Sequence, residues 1–433
     1  MAAVPAMAAG EGRQSDPSPR AAQAAQPDGS APGVGTLHDM SSWPAPCLEG
    51  IRILDLSRLL PGPYATWLLA AMGADVLRVE SPGLGDYARF MPPMLGPVSA
   101  MFHVINRGKR SILVDLKQDA GRELVLQLAA QSDVVFEQFR PGVLDRLGIG
   151  YDALKAVKED VILCSLTGYG QTGPLAPAAG HDMNYQALAG VLWMQGTRGA
   201  GPALSTPPMA DLVGAQTAVT AVVGAILRRE RTGEGAWLDV SMTDAVAGFA
   251  APFVAANNAQ LAAGAPVPER GDGLLAGGLA QYNVYACKDD GWLAVGALEP
   301  KFFARFAAVC GHPEWMQHAA LPGPHQAGLR ADVAEAVGSR TREEWVAALD
   351  GVDCCVTPIL RPEESPLQPQ LEARGLLRQG PAGLESVGWA DTPLGPPIQG
   401  DPPAVGEHTD QVLTELGLDE QAIAALRGSG VVQ

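Results

Sequence analysis

From residue 50 onward, short apolar runs alternate with longer segments of helical periodicity. "IRILDLS" predicts a strand, "PYATWLLAAMG" a helix that stops at Gly73, and "ADVLRVE" a second strand. "SILVDLK" is a third strand, "DAGRELVLQLAAQS" a helix and "DVVFEQF" a fourth strand; "YDALKAVKE" then leads into "DVILCSLTGYG". Strands separated by helices of this length predict a parallel sheet with right-handed crossovers. The loop after the first strand, "SRLLPGPY", is not G-x-G-x-x-G, and no G-x-x-x-x-G-K-[ST] occurs. The sheet is therefore Rossmann-like without a dinucleotide or nucleoside triphosphate fingerprint.

Further along, "ADLVGAQTAVTAVVGAILRRERTG" predicts a long helix opening at Asp211, ended by an Arg-rich turn and Gly233. "AWLDVSM" is a strand and "TDAVAGFAAPFVAANNAQLAAG" a helix. The pattern then changes. "YNVYACKDDGWLAVGAL" is a hairpin around Asp-Asp-Gly, followed by helices "PKFFARFAAVCG" and "TREEWVAALD". The expected fold class is α/β, a large Rossmann-like domain plus a smaller α+β domain. Its expected divisions are an extension over 1–46, the large domain over 47–250, a linker over 251–280, the small domain over 281–362 and a C-terminal segment over 363–433 that returns to the large domain. Residues 1–46 are Ala, Pro, Gly, Ser and Gln with almost no large apolar side chain, so disorder is expected there.

The 433 residues are 47% hydrophobic, enough for a substantial core. A formal net charge of -17 argues against nucleic acid and anionic membrane as partners. No continuous apolar run reaches bilayer length. The six cysteines form no C-x-x-C pair, which argues against zinc or a disulfide scaffold and fits a reducing, cytoplasmic location.

In so acidic a chain, a concentration of cations needs a reason. "NRGKRS" brings Arg107, Lys109 and Arg110; Lys117 follows the next strand, and Arg140 and Arg146 follow the one after. Such residues suit a polyanionic small molecule, although a solvated face is the commoner fate of surface charge. "GHDMNY" sets His181 beside Asp182 at a helix start. The pair reads as a general base with a carboxylate, or as an ordinary loop histidine with Asp182 capping its own helix. Asp211 is a plain N-cap or a carboxylate poised between helix dipole and desolvation. Glu299, before Pro300, is a normal first-turn residue. There is no G-x-S-x-G elbow, and Cys164 lies inside an apolar strand where a thiol is inert.

Together, "LEGIRILDLSRLLPGPYATWLLAAMGADVLRVE", "NRGKRSILVDLK", "FEQFRPGVLDRLG", "LTGYGQTGP", "AGHDMNYQALAG", "ADLVGAQ", "RTGEGAWLDVSM" and "AVGALEPKF" resemble the family III CoA transferases of the CaiB/BaiF type and their relatives, the α-methylacyl-CoA racemases. The resemblance spans about residues 48–425. It implies an interlocked homodimer with active sites between domains of different subunits, and an acyl-CoA substrate with no cofactor beyond its CoA moiety. By resemblance, Asp211 and His181 are the two acid/base groups of a racemase, Glu299 partners the histidine, and Asp182 and Tyr185 support them. Backbone N–H groups at the start of the Asp211 helix would stabilise the enolate oxygen. In the alternative, an acyl-CoA:carboxylate CoA-transferase, Asp211 is the nucleophile; a non-catalytic CoA binder is a third reading. CoA contacts fall on Lys117, Arg140 and Arg146, with the Arg107, Lys109 and Arg110 run nearby. After "LRVE", where the family often has an arginine that touches CoA, this chain has Ser81, with Arg78 or Arg89 as replacements.

Overall fold

The computed structural model describes residues 46–319, 323, 325–374, 376–380, 383–386, 398 and 400–433. The expected disordered extension lies, Pro46 apart, outside the described residues. Six strands build the main sheet: β1 (Arg52–Asp55), β2 (Asp75–Glu80), β3 (Arg110–Leu113), β4 (Val134–Glu137), β5 (Ile162–Thr167) and β6 (Ala236–Ser241). Their order is β3-β2-β1-β4-β5-β6 and every pairing is parallel. This is the doubly wound Rossmann order, whose direction reverses between β1 and β4 and opens a crevice at the carboxyl edge.

Both sheet faces are buried, which is why these strands read as continuous apolar runs. Ile53, Val76, Phe136, Cys164 and Val240 pack under α1 (Pro61–Ala71) and the long helices that follow β5 and β6. Leu54, Val79, Ile112, Val135 and Leu163 pack on the other face under α2 (Asp119–Ala130). Each such side chain contributes about 1.5–3 kcal/mol of burial. The C-terminal helices α9 (Thr409–Glu415) and α10 (Glu420–Gly428) join this second face through Leu413 and Ile423. Val432 then bridges Val114 in antiparallel fashion just after β3, so the chain end covers that sheet edge.

Helix α4 (Met209–Thr232) corrects the expectation about bilayer length. Its 24 residues, with mean hydropathy 1.6 over the most apolar stretch, are long and apolar enough to cross a membrane by composition. Interspersed Thr and Gly hide that property from a count of unbroken apolar residues. In the fold Ala215, Ala218, Val219, Val222 and Ile226 are buried within the first core. Helix α5 (Met242–Ala262) runs unbroken through the boundary expected at 250. The smaller unit is an antiparallel sheet, β7 (Tyr282–Ala286), β8 (Trp292–Gly296) and β9 (Val356–Pro358), in the order β9-β8-β7. Helices α6 (Pro300–Cys310), α7 (His325–Gly338) and α8 (Arg342–Leu349) cover it, with Phe303, Phe306, Trp315 and Trp345 at the centre.

Candidate active site

The chain leaves β5 through Gly168 and Gly170 and returns at Gly180 to helix α3 (Asp182–Leu188). A Cβ on Gly168 would stand 2.5 Å from the Tyr185 ring, and one on Gly180 2.6 Å from Oη of Tyr169. Glycine is therefore needed for the backbone to pass under an edge-to-face Tyr169–Tyr185 pair with centroids 5.1 Å apart. Buried Tyr185 donates its hydroxyl to the Gly180 carbonyl at 2.6 Å.

Asp182 does not cap its own helix. Its Oδ1 accepts the N–H groups of Ala210 at 2.6 Å and Asp211 at 3.2 Å, so it caps α4 instead. Gln186, buried one turn later, donates its amide to Oδ2 of Asp182. The N–H groups of Ala210 and Asp211, expected to stabilise an enolate oxygen, are thus already engaged by the Asp182 carboxylate. Asp211 itself is not the N-cap, a position held by Pro208. Its carboxyl has no hydrogen-bond or ion-pair partner among the described residues. Burial, helped by the negative charge of Asp182, pushes it up to about 7. Desolvation thus outweighs the helix dipole.

His181 is the N-cap residue of α3 and is exposed; its backbone N–H donates to Asn184 Oδ1 at 3.0 Å. Through its neighbour Asp182, which bonds the Asp211 backbone, it belongs to the same small region. Glu299 does not. It is exposed at the N-terminus of α6 in the smaller unit, with no bond to His181 or Asp211 among the described residues.

The predicted cations divide. Lys117 is exposed and lines a cleft of about 450 Å³ at the carboxyl ends of β1, β2 and β3, beside Ser81, Tyr87, Phe139 and Leu147. Arg140 and Arg146 are exposed on the loop and short helix after β4, and the charge of Arg140 acts on Tyr185. The other three are corrections. Lys109 is buried; its ammonium donates to the Pro63 carbonyl and Thr66 Oγ1, both at 2.8 Å, and lies 3.6 Å from Asp55. Arg107 is buried with its guanidinium over the Trp67 ring. Arg110 points to the opposite, amino edge of the sheet, where it pairs with Asp75 and Glu415. Nor do the expected replacements for Ser81 reach the cleft as free charges. Arg78 is buried against Asp86 at 2.8 Å, and Arg89 against Glu80 at 2.6 Å.

The cleft and the Asp211 region thus occupy the edge at which doubly wound sheets bind ligands. Residues 48–409 match the family model of CoA-transferase family III. The chain belongs to this family. Human α-methylacyl-CoA racemase is 32% identical over 395 residues, covering 89% of this chain and 97% of that protein. Human succinyl-CoA:glutarate CoA-transferase is 31% identical over 401 residues, covering 89% and 90%. Among solved structures, a CAIB/BAIF family protein from Brucella suis superposes with a TM-score of 0.75 at 30% identity, covering 86% of this chain and all of that one. As a family III member, this protein is an acyl-CoA enzyme; its relatives divide between racemase and transferase.

Sequence reasoning missed Tyr169 and Gln186, the groups that fix Tyr185 and Asp182. Tyr169 carried a readable signal, an aromatic between two glycines at a strand end. Gln186 carried one too, the i, i+4 spacing from Asp182 that sets the two side chains on one face of α3.

Proposed function

We propose that this family III protein is an α-methylacyl-CoA racemase-like isomerase that moves a proton from one face of the α-carbon of an acyl-CoA to the other. The observation that carries this is the Asp211 carboxyl, half-buried, without a hydrogen-bond or ion-pair partner among the described residues, and raised to about 7 by desolvation. A carboxyl at that value both holds and releases a proton near neutrality, as an acid/base group must. Asp211 takes or gives the proton on one face, and the accessible imidazole of His181 serves the other. The thioester acidifies the α-C–H bond, and the intermediate is an enolate. No cofactor beyond the CoA moiety is required. Lys117, Arg140 and Arg146 bind the CoA phosphates.

The protein acts as a homodimer in this reading, and a second copy brings its Glu299 to orient His181. Helix α5 supports that arrangement. Only Met242, Val246 and Ala250 of its 21 residues are buried, while Phe249 and Phe253 are 66% and 48% exposed. An apolar surface of this kind calls for a partner.

CoA transfer with Asp211 as nucleophile is the second reading, favoured by the transferases that match as well as the racemase does. Incubating a 2-methylacyl-CoA in deuterated water separates the two. Racemisation gives α-deuterium without any acceptor acid. Turnover that demands an acceptor, with no exchange and an adduct on Asp211, defeats the isomerase.

A further inference from the structure

The cleft that holds Lys117 is also lined by Arg58, which lies outside the basic runs and has no ion pair among the described residues. Arg58 sits on the loop after β1 and Lys117 on the loop after β3, while Ser81 follows β2. Because β2 lies between β1 and β3, the strand order sets the two cations on either side of Ser81. Adjacent strands are about 4.8 Å apart, so loops two strands apart bracket a space of phosphate dimensions. Both side chains lack an ion-pair partner among the described residues. The acids facing the same cleft are Glu80, Asp86 and Asp115. Glu80 is engaged by Arg89 and Ser111, and Asp86 by Arg78. Asp115 accepts the Lys117 backbone N–H and the Gln118 amide.

The Arg58 loop is also built. On one side, buried Ser57 donates its N–H to Asp55 at 2.9 Å. On the other, Leu59 has φ 66, a left-handed conformation costly for a bulky residue, and donates its N–H to Asp86 at 2.9 Å. Such strain persists only where its surroundings over-determine it. Those surroundings are one buried network. Asp55 accepts from Thr66 at 2.6 Å and faces Lys109; Lys109 and Arg78 both donate to Asn106; Arg78 pairs with Asp86. Its outward product is the placement of residue 58.

We propose that Arg58 is a phosphate-binding residue of the acyl-CoA site, sharing with Lys117 the nucleotide phosphates at the rim where Ser81 supplies no charge. The proposal rests on the acyl-CoA reading above. Buried Arg78 and Arg89 act as positioning residues that hold the wall, and Arg58 makes the contact.

The test is direct binding of CoA and of 3′-dephospho-CoA to the full chain by calorimetry, for the wild type, Arg58→Gln and Arg58→Lys, with thermal midpoints recorded alongside. Wild-type binding should weaken with added salt. Arg58→Gln should raise the Kd for CoA about 10–100-fold, the loss of a charged hydrogen bond, and flatten the salt dependence. Arg58→Lys should fall between them, since it keeps the charge and loses the planar fork. A penalty equal for the two ligands places Arg58 on the diphosphate; a penalty confined to CoA places it on the 3′-phosphate. CoA binding by the wild type that is unchanged in Arg58→Gln and Arg58→Lys overturns the assignment and leaves the acyl-CoA reading standing. A wild type that binds no CoA overturns both.

Discussion

Two sets of desolvated charge lie at the same edge of one sheet, and their carboxyls behave in opposite ways. Beneath the cleft, Asp55, Glu80, Asp86, Arg78, Arg89 and Lys109 are each matched by an opposite charge or several hydrogen bonds. Beside it, half-buried Asp211 has a neighbouring carboxylate, Asp182, and no partner for its own carboxyl among the described residues. Although burial pushes the Glu80 carboxyl upward, hydrogen bonds from Arg89 and the charge of Arg78 hold it down at about 2. Asp211 stands at about 7. The paired set fixes a shape, and the unpaired carboxyl is left able to exchange a proton. Desolvation acts on both, and for the two carboxyls what decides the outcome is whether the fold supplies a counter-charge; buried Lys109, even facing Asp55, is still brought down to about 7 by desolvation.

The largest expected effect of breaking this contrast is on chemistry. Asp211→Asn should lower kcat/KM by about 10³-fold or more, the loss of a positioned acid/base group. It should leave the thermal midpoint at neutral pH unchanged or raised. A steady-state assay with a melting curve checks both, and a variant that keeps its activity would remove Asp211 from the mechanism.

Glu80→Gln or Arg78→Met should do the reverse. Each strands a buried charge and should cost about 3–5 kcal/mol in denaturant unfolding. If either unfolds like the wild type, the network does not hold the cleft wall.

The pH dependence of stability should carry both signs. Glu80 titrates lower folded than its ordinary 4.5, so its contribution is present above 4.5 and is lost as pH falls towards 2. Asp211 titrates higher folded than its ordinary 3.8, so stability is lost as pH rises from 3.8 through about 7. Comparing unfolding of the wild type and Asp211→Asn across this range isolates the second slope, which should vanish in the variant. Asp182→Asn keeps an acceptor for the α4 N–H groups but removes the charge beside Asp211. The midpoint of the pH–rate profile should therefore move down, while Asp182→Ala should cost about 1 kcal/mol as a lost cap.

The smallest effect belongs to Arg110. Its pairs with Asp75 and Glu415 are partly exposed, so Arg110→Ala should cost at most about 1 kcal/mol. Its CoA affinity should match the wild type, and a large fall in affinity would reverse the assignment of Arg110 to the far edge.

Much of the fold was legible because periodicity is local. "ADVLRVE", "DVVFEQF" and "DVILCSLTGYG" carry runs of apolar residues that only a sheet covered on both faces can bury, and each holds a strand. "YNVYACKDDGWLAVGAL" similarly becomes β7 and β8 with Asp290 in the left-handed turn. The site was legible in part. His181, Asp182 and Asp211 could be singled out, but the bond between Asp182 and the start of α4 joins residues 28 and 29 positions apart. The run "NRGKR" misled for a related reason. Arg107 and Lys109 enter the core while Arg110 turns to the opposite edge, so sequence neighbours do not share a destination.

By itself, the sequence determined which segments are strands and helices, where the smaller sheet begins and which titratable residues precede helices, because backbone geometry and side-chain periodicity act over a few residues. Tertiary structure alone decided which of those charges are neutralised. It buried Lys109 against Asp55, gave Arg78 to Asp86, and left Asp211 with Asp182 as its neighbour and Arg58 with no described partner. Solvation and Coulomb energy depend on distances between groups far apart in the chain, and those distances exist only once the strands have taken their order.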